Sequence, residues 1–379
     1  MPGYRAYAIV GGVAAATTFL VTPLVRLLAV KIGAVISPGE RRVHDRPTPT
    51  LGGLAMFMGF CVSVAVAWRM GSFSGVFDAS SEPLGVVLAA TAMVVVGTAD
   101  DLREFSAPAK VAGQVLSAML LWWFGVTMFT LRVPWRGGGL LVLSKDWLPL
   151  VTVLWVIGIS TAINLIDGLD GLAAGVTAIA SGAFFLYATR LQSPEVAILD
   201  QRSIGPLLAI IVLGMCLGFL PHNFNPARIF MGDCGALLLG LLMAASTSVV
   251  GGRVWQPFSG QKYFFFAPLF IPLVVLGVPI VDTLFAIIRR AIRRRAWSEG
   301  DKEHLHHRLM RLGHGQRRSV VILWGWTALL SAFVLYPAYN NGRGNAFVPI
   351  GIAALGLMLY TVLHPQVRRA RANGAGPGH

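Results

Sequence analysis

Apolar runs of about 16 to 25 residues recur along the whole chain, broken by short polar segments, and about 20 apolar residues in a helix span a bilayer. Charge is correspondingly scarce. Only 13% of the 379 residues are charged and 55% are hydrophobic, against about 25% charged in soluble domains. The expected fold class is all-α, a polytopic integral membrane protein. Hydropathy places helices near 6 to 30, 50 to 68, 83 to 98, 110 to 130, 147 to 166, 171 to 189, 204 to 220, 234 to 250, 264 to 288, 319 to 338 and 346 to 364. The first run carries Arg26 near its end and lacks the short core and small-residue cleavage site of a signal peptide, so it reads as the first of eleven spans.

The net charge of +14 would point to nucleic acid on a soluble chain. On a membrane protein it first reports topology, because Lys and Arg gather on cytoplasmic loops. The loops sort into two alternating sets. Segments 31 to 49, 99 to 110, 167 to 170, 221 to 233, 289 to 318 and 365 to 379 hold 20 of the 31 Lys and Arg, and the opposite set holds 10. The first set is therefore expected to be cytoplasmic, with the N-terminus outside and the C-terminus inside. Eleven of the seventeen Asp and Glu share that face, although carboxylates contribute little to orientation. Their gathering suggests a polar site there.

Other broad features are quiet. Cys61, Cys216 and Cys234 are odd in number and lack metal-ligand spacing, so no disulfide framework is expected. No repeat of 20 to 50 residues and no inverted symmetry is evident. Residues 1–367 are expected to form one multi-pass domain, and the Gly- and Arg-rich tail 368–379 to be disordered.

Five constellations fall on the acidic face. Asp100 and Asp101 follow the third apolar run; paired carboxylates can hold a divalent cation or share a proton, and a solvated helix end is the plainer alternative. Asn164-Leu-Ile-Asp167-Gly-Leu-Asp170-Gly171 joins the fifth and sixth runs almost without a loop. A helical turn would put Asp167 and Asp170 on one face, and a simple reentrant turn needs neither carboxylate. In Pro221-His-Asn223-Phe-Asn225-Pro226-Ala-Arg228-Ile-Phe230-Met-Gly232-Asp233, Asp233 suits either a helix cap or a ligand. Phe230 suits either base stacking or interfacial anchoring.

The largest cytoplasmic segment carries Arg289, Arg290, Arg293, Arg294 and Arg295, then His304-Leu-His306-His307-Arg308. The basic run reads most simply as a topogenic anchor in contact with anionic lipid. Zinc is disfavoured, since the order is not His-Glu-x-x-His and no thiolate lies nearby; imidazoles bonding to phosphate or sugar oxygens fit better. Ahead of the second span stands Arg41-Arg-Val-His44-Asp45-Arg46-Pro-Thr-Pro-Thr50-Leu-Gly52-Gly53, where His44 and Arg46 could contact phosphate or serve as a basic flank. Acids mixed with Arg, Lys and His suit a phosphate-bearing substrate. A transporter or lipid flippase, the main alternative, would place ionisable groups near the midplane, and Asp282 is the one acid inside an expected span.

Ala99-Asp100-Asp101, Asn164-Leu-Ile-Asp167-Gly-Leu-Asp170-Gly-Leu-Ala, Phe230-Met-Gly-Asp233 and His304-Leu-His306-His307-Arg-Leu, in this order, resemble the polyprenyl-phosphate N-acetylhexosamine-1-phosphate transferases. The His-Leu-His-His form resembles the GlcNAc-1-phosphate branch, whereas the related phospho-N-acetylmuramoyl-pentapeptide transferases usually carry three consecutive histidines. One departure is Cys234-Gly235-Ala236, where relatives commonly have a hydroxyl residue at the last position. The resemblance implies transfer of N-acetylhexosamine-1-phosphate from a UDP-sugar to polyprenyl phosphate at the cytoplasmic face of the plasma membrane. UMP is released and a lipid-linked cell-envelope glycan is begun.

The same resemblance implies Mg²⁺, with Mn²⁺ as a substitute. Asn164, Asp233 and Asp101 are then expected near the metal, with Asp100, Asp101 and Asp233 catalytic and Asp100 the candidate base or orienting group for the acceptor phosphate. Arg46, Lys110, Asp167, Asp170, Asn223, Phe230, His304, His306 and His307 are expected on the substrates. Expected partners are the UDP-sugar, polyprenyl phosphate, membrane lipid and a second copy in a homodimer, without nucleic acid.

Overall fold

A computed structural model describes residues 2–37, 47–132, 140–253, 314–339 and 347–363. Among these, the long helices are α1 (Tyr4–Lys31), α2 (Gly52–Arg69), α4 (Glu82–Arg103), α5 (Ala107–Trp123), α6 (Leu148–Ile166), α7 (Leu172–Gln192), α8 (Gly205–Asn223), α9 (Gly232–Gly251), α10 (Gln316–Tyr339) and α11 (Phe347–Leu363). A short helix α3 (Ser74–Phe77) sits between α2 and α4. Ten of the eleven expected spans thus have a helix, and the one near 264 to 288 lies outside the described residues. Eight of the described helices are long and apolar enough to cross a membrane, which makes this a multi-pass membrane protein. Strand is confined, among the described residues, to two antiparallel ribbons, β1 (Val35–Ile36) with β2 (Thr48–Pro49) and β3 (Thr130–Arg132) with β4 (Leu140–Val142).

The expectation of a span from 110 to 130 needs correction at its C-terminal end. Helix α5 stops at Trp123, and Gly125 takes a positive φ of 88°, which only glycine adopts freely. The chain then turns back into the protein: the amides of Phe129 and Thr130 both donate to the carbonyl of Gly252, at 2.8 and 3.0 Å. The apolar character of Val126 and Met128 comes from burial, not from continued helix.

Helix α9 is the hub. It packs against α2, α4, α6, α7 and α8, and its sequence Gly-Asp-Cys-Gly-Ala-Leu-Leu-Leu-Gly explains why. Helices in lipid lack a hydrophobic drive to associate and rely on small residues for close packing. A Cβ on Gly240 would lie 2.3 Å from Ser160 Cα of α6, one on Gly53 of α2 would lie 2.2 Å from the amide nitrogen of Gly235, and one on Gly97 of α4 would lie 2.5 Å from Cys234 Cα. Backbone meets backbone at all three crossings.

Many hydroxyls inside the bundle close on their own helices. Thr22, Ser117, Thr152, Ser181, Thr189, Thr247 and Ser248 each donate to the carbonyl four residues back, which satisfies them without water. Between helices, Trp155 Nε1 of α6 donates to Thr247 Oγ1 of α9 at 3.0 Å, and Ser246 Oγ of α9 donates to the Gly205 carbonyl of α8 at 2.8 Å. Two poles result. At one, Arg253 past the end of α9 pairs with Glu82 in the first turn of α4 at 2.5 Å and donates to the Gly125 carbonyl. At the other pole lie the C-terminal end of α4 and the N-terminal end of α9.

Candidate active site

The C-terminal end of α4 and the N-terminal ends of α5 and α9 converge, and three charged side chains meet there. Lys110 Nζ lies 2.5 Å from Asp100 Oδ2 and 2.8 Å from Asp233 Oδ2. Asp100 is nearly buried and also accepts the Phe105 amide at 2.7 Å. Glu104, with φ of 46°, turns the chain sharply between α4 and α5, and this brings Lys110 back over the acidic residues that end α4.

Asp101 plays a different part. Its Oδ1 accepts the Asp233 amide at 2.9 Å and its Oδ2 accepts the Cys234 amide at 3.2 Å. The first amides of a helix have no partner within it, and here a carboxylate from α4 caps α9 across the helix interface. The approach is possible because Gly97, one turn before Asp101, lets α4 touch Cys234, and because Gly232 with φ of 70° leaves space beside Asp101 Oδ2.

The segment before α2 is stitched to the same place. Phe230 donates its amide to the Pro49 carbonyl at 2.8 Å, while Gly52 and Gly53 donate to the carbonyls of Phe230 and Met231, both at 2.9 Å. Leu51 holds a positive φ of 75° between these bonds, a costly conformation for a bulky residue that persists because flanking contacts determine it. Arg26 Nε of α1 donates to the Arg228 carbonyl at 3.1 Å, so an arginine late in the first apolar run also belongs to this pole.

The turn between α6 and α7 completes the centre. Asn164 lies in the last turn of α6, its carbonyl accepting the Asp167 amide at 3.3 Å. Desolvation, and then the negative charges of Asp233, Asp101 and Asp170, push the Asp167 carboxyl well above the usual range. Asp170 Oδ2 accepts Asn225 Nδ2 at 2.9 Å and the Ala227 amide at 3.0 Å. Buried Asn223 accepts the Gly171 amide and donates to the Ile229 carbonyl, both at 3.0 Å. Asp170 and Asn223, expected on substrate, thus hold the loop between α8 and α9 in place.

Asp100, Asp101, Lys110, Asn164, Asp167, Asp170, Asn223, Phe230 and Asp233 all lie at one pole. His44, Arg46, Asp282, His304, His306 and His307 lie outside the described residues. Sequence reasoning passed over Asn225, Gln316 and Arg317, the first of which bonds to each of the other two here. Arg26, a charge inside an apolar run, was a signal in plain view.

A divalent cation fits this donor set in one particular way. Among the described residues no three Asp, Glu, His or Cys side chains cluster as a metal site, so those residues alone supply no cage. Magnesium is commonly held by one or two carboxylates, with water and substrate phosphates completing its shell. Asp233 and Asp167, the latter pushed toward its protonated form by burial and then by neighbouring carboxylates, carry oxygens that would suit such a shell.

A family model described as glycosyl transferase family 4 matches residues 83–251. The decaprenyl-phosphate N-acetylglucosaminephosphotransferase of Mycolicibacterium smegmatis is 36% identical over 96% of this chain and 90% of its own length. A probable undecaprenyl-phosphate N-acetylglucosaminyl 1-phosphate transferase of Bacillus subtilis is 37% identical over 85% and 83% of the two chains. The phospho-N-acetylmuramoyl-pentapeptide-transferase of Desulforudis audaxviator is 33% identical over 88% and 98%. The matched segment runs from the helix that ends in Asp100 and Asp101 to the helix that Asp233 begins, so the family signature and the acidic centre are one stretch of chain, and the chain belongs to the polyprenyl-phosphate N-acetylhexosamine-1-phosphate transferases.

Proposed function

We propose that this protein transfers GlcNAc-1-phosphate from UDP-GlcNAc to polyprenyl phosphate and releases UMP, starting a lipid-linked glycan of the cell envelope. The observation that carries the reading is the bridge of Lys110 between Asp100 and Asp233 at one pole of a membrane bundle, in a chain whose relatives are named for this transfer. The acceptor is anchored in the membrane and the donor is water-soluble, so the reaction belongs at an interface. The loop charges favour the cytoplasmic one, with eleven spans, the N-terminus outside and the C-terminus inside.

In the reaction an oxygen of the lipid phosphate attacks the sugar-bearing phosphorus of the donor. A new phosphoanhydride bond forms as the old one breaks, and the bridging oxygen leaves with UMP. One anhydride replaces another, so no further energy source is needed. The acceptor phosphate has a second pKa of about 6 and is mostly a dianion at neutral pH, so it needs little help from a base. Asp100, held by Lys110 and the Phe105 amide, orients rather than deprotonates. Lys110 supplies positive charge toward the phosphates, and Asp101 fixes the start of α9 so that Asp233 faces the centre.

Mg²⁺, with Mn²⁺ as a substitute, would be held by Asp233 with Asp167 and Asn164 nearby, and when bound it would stabilise charge building on the leaving UMP. Phe230, half-buried in the segment before α9, would stack on uracil, and His304, His306, His307 and Arg46 would meet the diphosphate and sugar. The test is to incubate membranes containing the protein with a panel of UDP-sugars, polyprenyl phosphate and Mg²⁺, and to measure UMP. UDP-GlcNAc should be the preferred donor, and Asp233→Asn should abolish turnover. Solute transport without UMP release would overturn the proposal, as would an active Asp233→Asn enzyme.

A further inference from the structure

Asn225 stands at a crossing of three segments distant in sequence. Its Nδ2 donates to Asp170 Oδ2 of the α6–α7 turn at 2.9 Å and to Gln316 Oε1, the first residue of α10, at 2.7 Å. Arg317 Nε donates to the Asn225 carbonyl at 2.9 Å and to its Oδ1 at 3.3 Å. Both polar ends of the side chain and the backbone carbonyl are therefore engaged, by an acid on one side and by the start of α10 on the other.

The neighbours reinforce the crossing. Phe224, adjacent to Asn225, packs its ring 5.6 Å from that of Trp324 in α10 and lies against Gly171, where a Cβ would come within 3.1 Å of its Cδ2. Trp324 in turn fills the space over Gly175 of α7, where a Cβ would sit 2.0 Å from the indole. The first turns of α10 are thus seated against α7 and the Phe224–Asn225 segment, which in turn contacts Gly171 and Asp170.

We infer that Asn225 is a positioning residue that sets how the aspartate turn, the Phe230–Asp233 loop and the start of α10 stand relative to one another. Asn225 touches no reacting group. It acts through Asp170 and through Gln316 and Arg317, and what it governs is the fit of the nucleotide-sugar, which is expected on the aspartate turn and on Phe230. The inference rests on the proposed reaction for the identity of the donor. The lipid phosphate, expected on the Asp100 and Lys110 side, is not governed by it.

The experiment uses full-length purified protein and reads two quantities: direct binding of UDP by calorimetry, and KM for UDP-GlcNAc and for polyprenyl phosphate separately. Asn225→Ala should raise the KM for UDP-GlcNAc and the Kd for UDP by roughly tenfold or more, as expected for a misplaced binding element, with the KM for the lipid within about twofold. Arg317→Met, a milder change on an exposed side chain, should shift both in the same direction by less. Asn225→Asp sets two carboxylates face to face, and pairing it with Asp170→Asn restores one donor opposite one acceptor. The pair should bind UDP more tightly than either single variant.

Unchanged UDP binding in Asn225→Ala would overturn the inference, as would equal losses for both substrates in Asn225→Ala and Arg317→Met. So would a reciprocal pair no better than its parts. Failure of the proposed reaction reads differently: the wild type would then neither bind UDP nor release UMP.

Discussion

Replacing Lys110 with methionine keeps the length of the side chain and removes its charge. In the protein its ammonium lies 2.5 Å from Asp100 and 2.8 Å from Asp233, so the two carboxylate oxygens stand no more than about 5 Å apart, where unit charges repel by about 3 kcal/mol at an effective dielectric constant of about 20. Fully expressed in the barrier, that repulsion would slow turnover by about 150-fold. A third of the Lys110 side chain is exposed, so screening trims the effect to between about tenfold and a hundredfold. The assay is UMP release over a Mg²⁺ titration. Because a divalent cation can replace the missing positive charge, the Lys110→Met enzyme should recover part of its loss as Mg²⁺ rises, whereas Asp233→Asn should not. Wild-type turnover in Lys110→Met, with an unchanged cation requirement, would refute the idea that the ammonium holds the two acids together.

Other consequences of the geometry are open to measurement. Gly97→Ala drives a methyl group into the backbone of Cys234 and should cost about 1–3 kcal/mol, seen as a lower melting temperature in detergent, while Gly158→Ala, inside α6 with open space around it, should not lower melting. Asp101→Ala strands the amides of Asp233 and Cys234 and should destabilise by about 2 kcal/mol as well as lower kcat, a loss that Asp101→Asn should share only in part. At the opposite pole, Glu82→Gln should lower the melting temperature by weakening the pair with Arg253, by about 1–3 kcal/mol, with both KM values unaltered.

Much of the fold could be read from apolar run lengths because the membrane imposes them. Helix α6 was expected over 147 to 166 and spans Leu148–Ile166, and α9 was expected over 234 to 250 and spans Gly232–Gly251. Where burial within protein replaces burial in lipid, hydropathy misleads, as in the stretch after Gly125 that folds back on Gly252. The acids of the site were legible because charge at the edge of hydrocarbon is costly and calls for a reason. Their division of labour was not. That Asp101 caps another helix while Asp100 grips Lys110 depends on which way α4 turns its last residues against α9, and neighbouring positions in sequence carry no trace of it. Asn225 escaped notice for the same reason, since its partners lie 55 and 91 residues away.

Helices α4 and α9 are fastened twice, by Glu82 with Arg253 at one extremity and by Asp101 with the Asp233 amide at the other. Two fastenings at opposite ends resist rocking of one helix against the other. Yielding that admits a fatty alcohol phosphate from the side and lets a spent nucleotide depart should therefore come from the elements flanking that pair, and membranes of different thickness should strain the periphery of the protein more than this central pair.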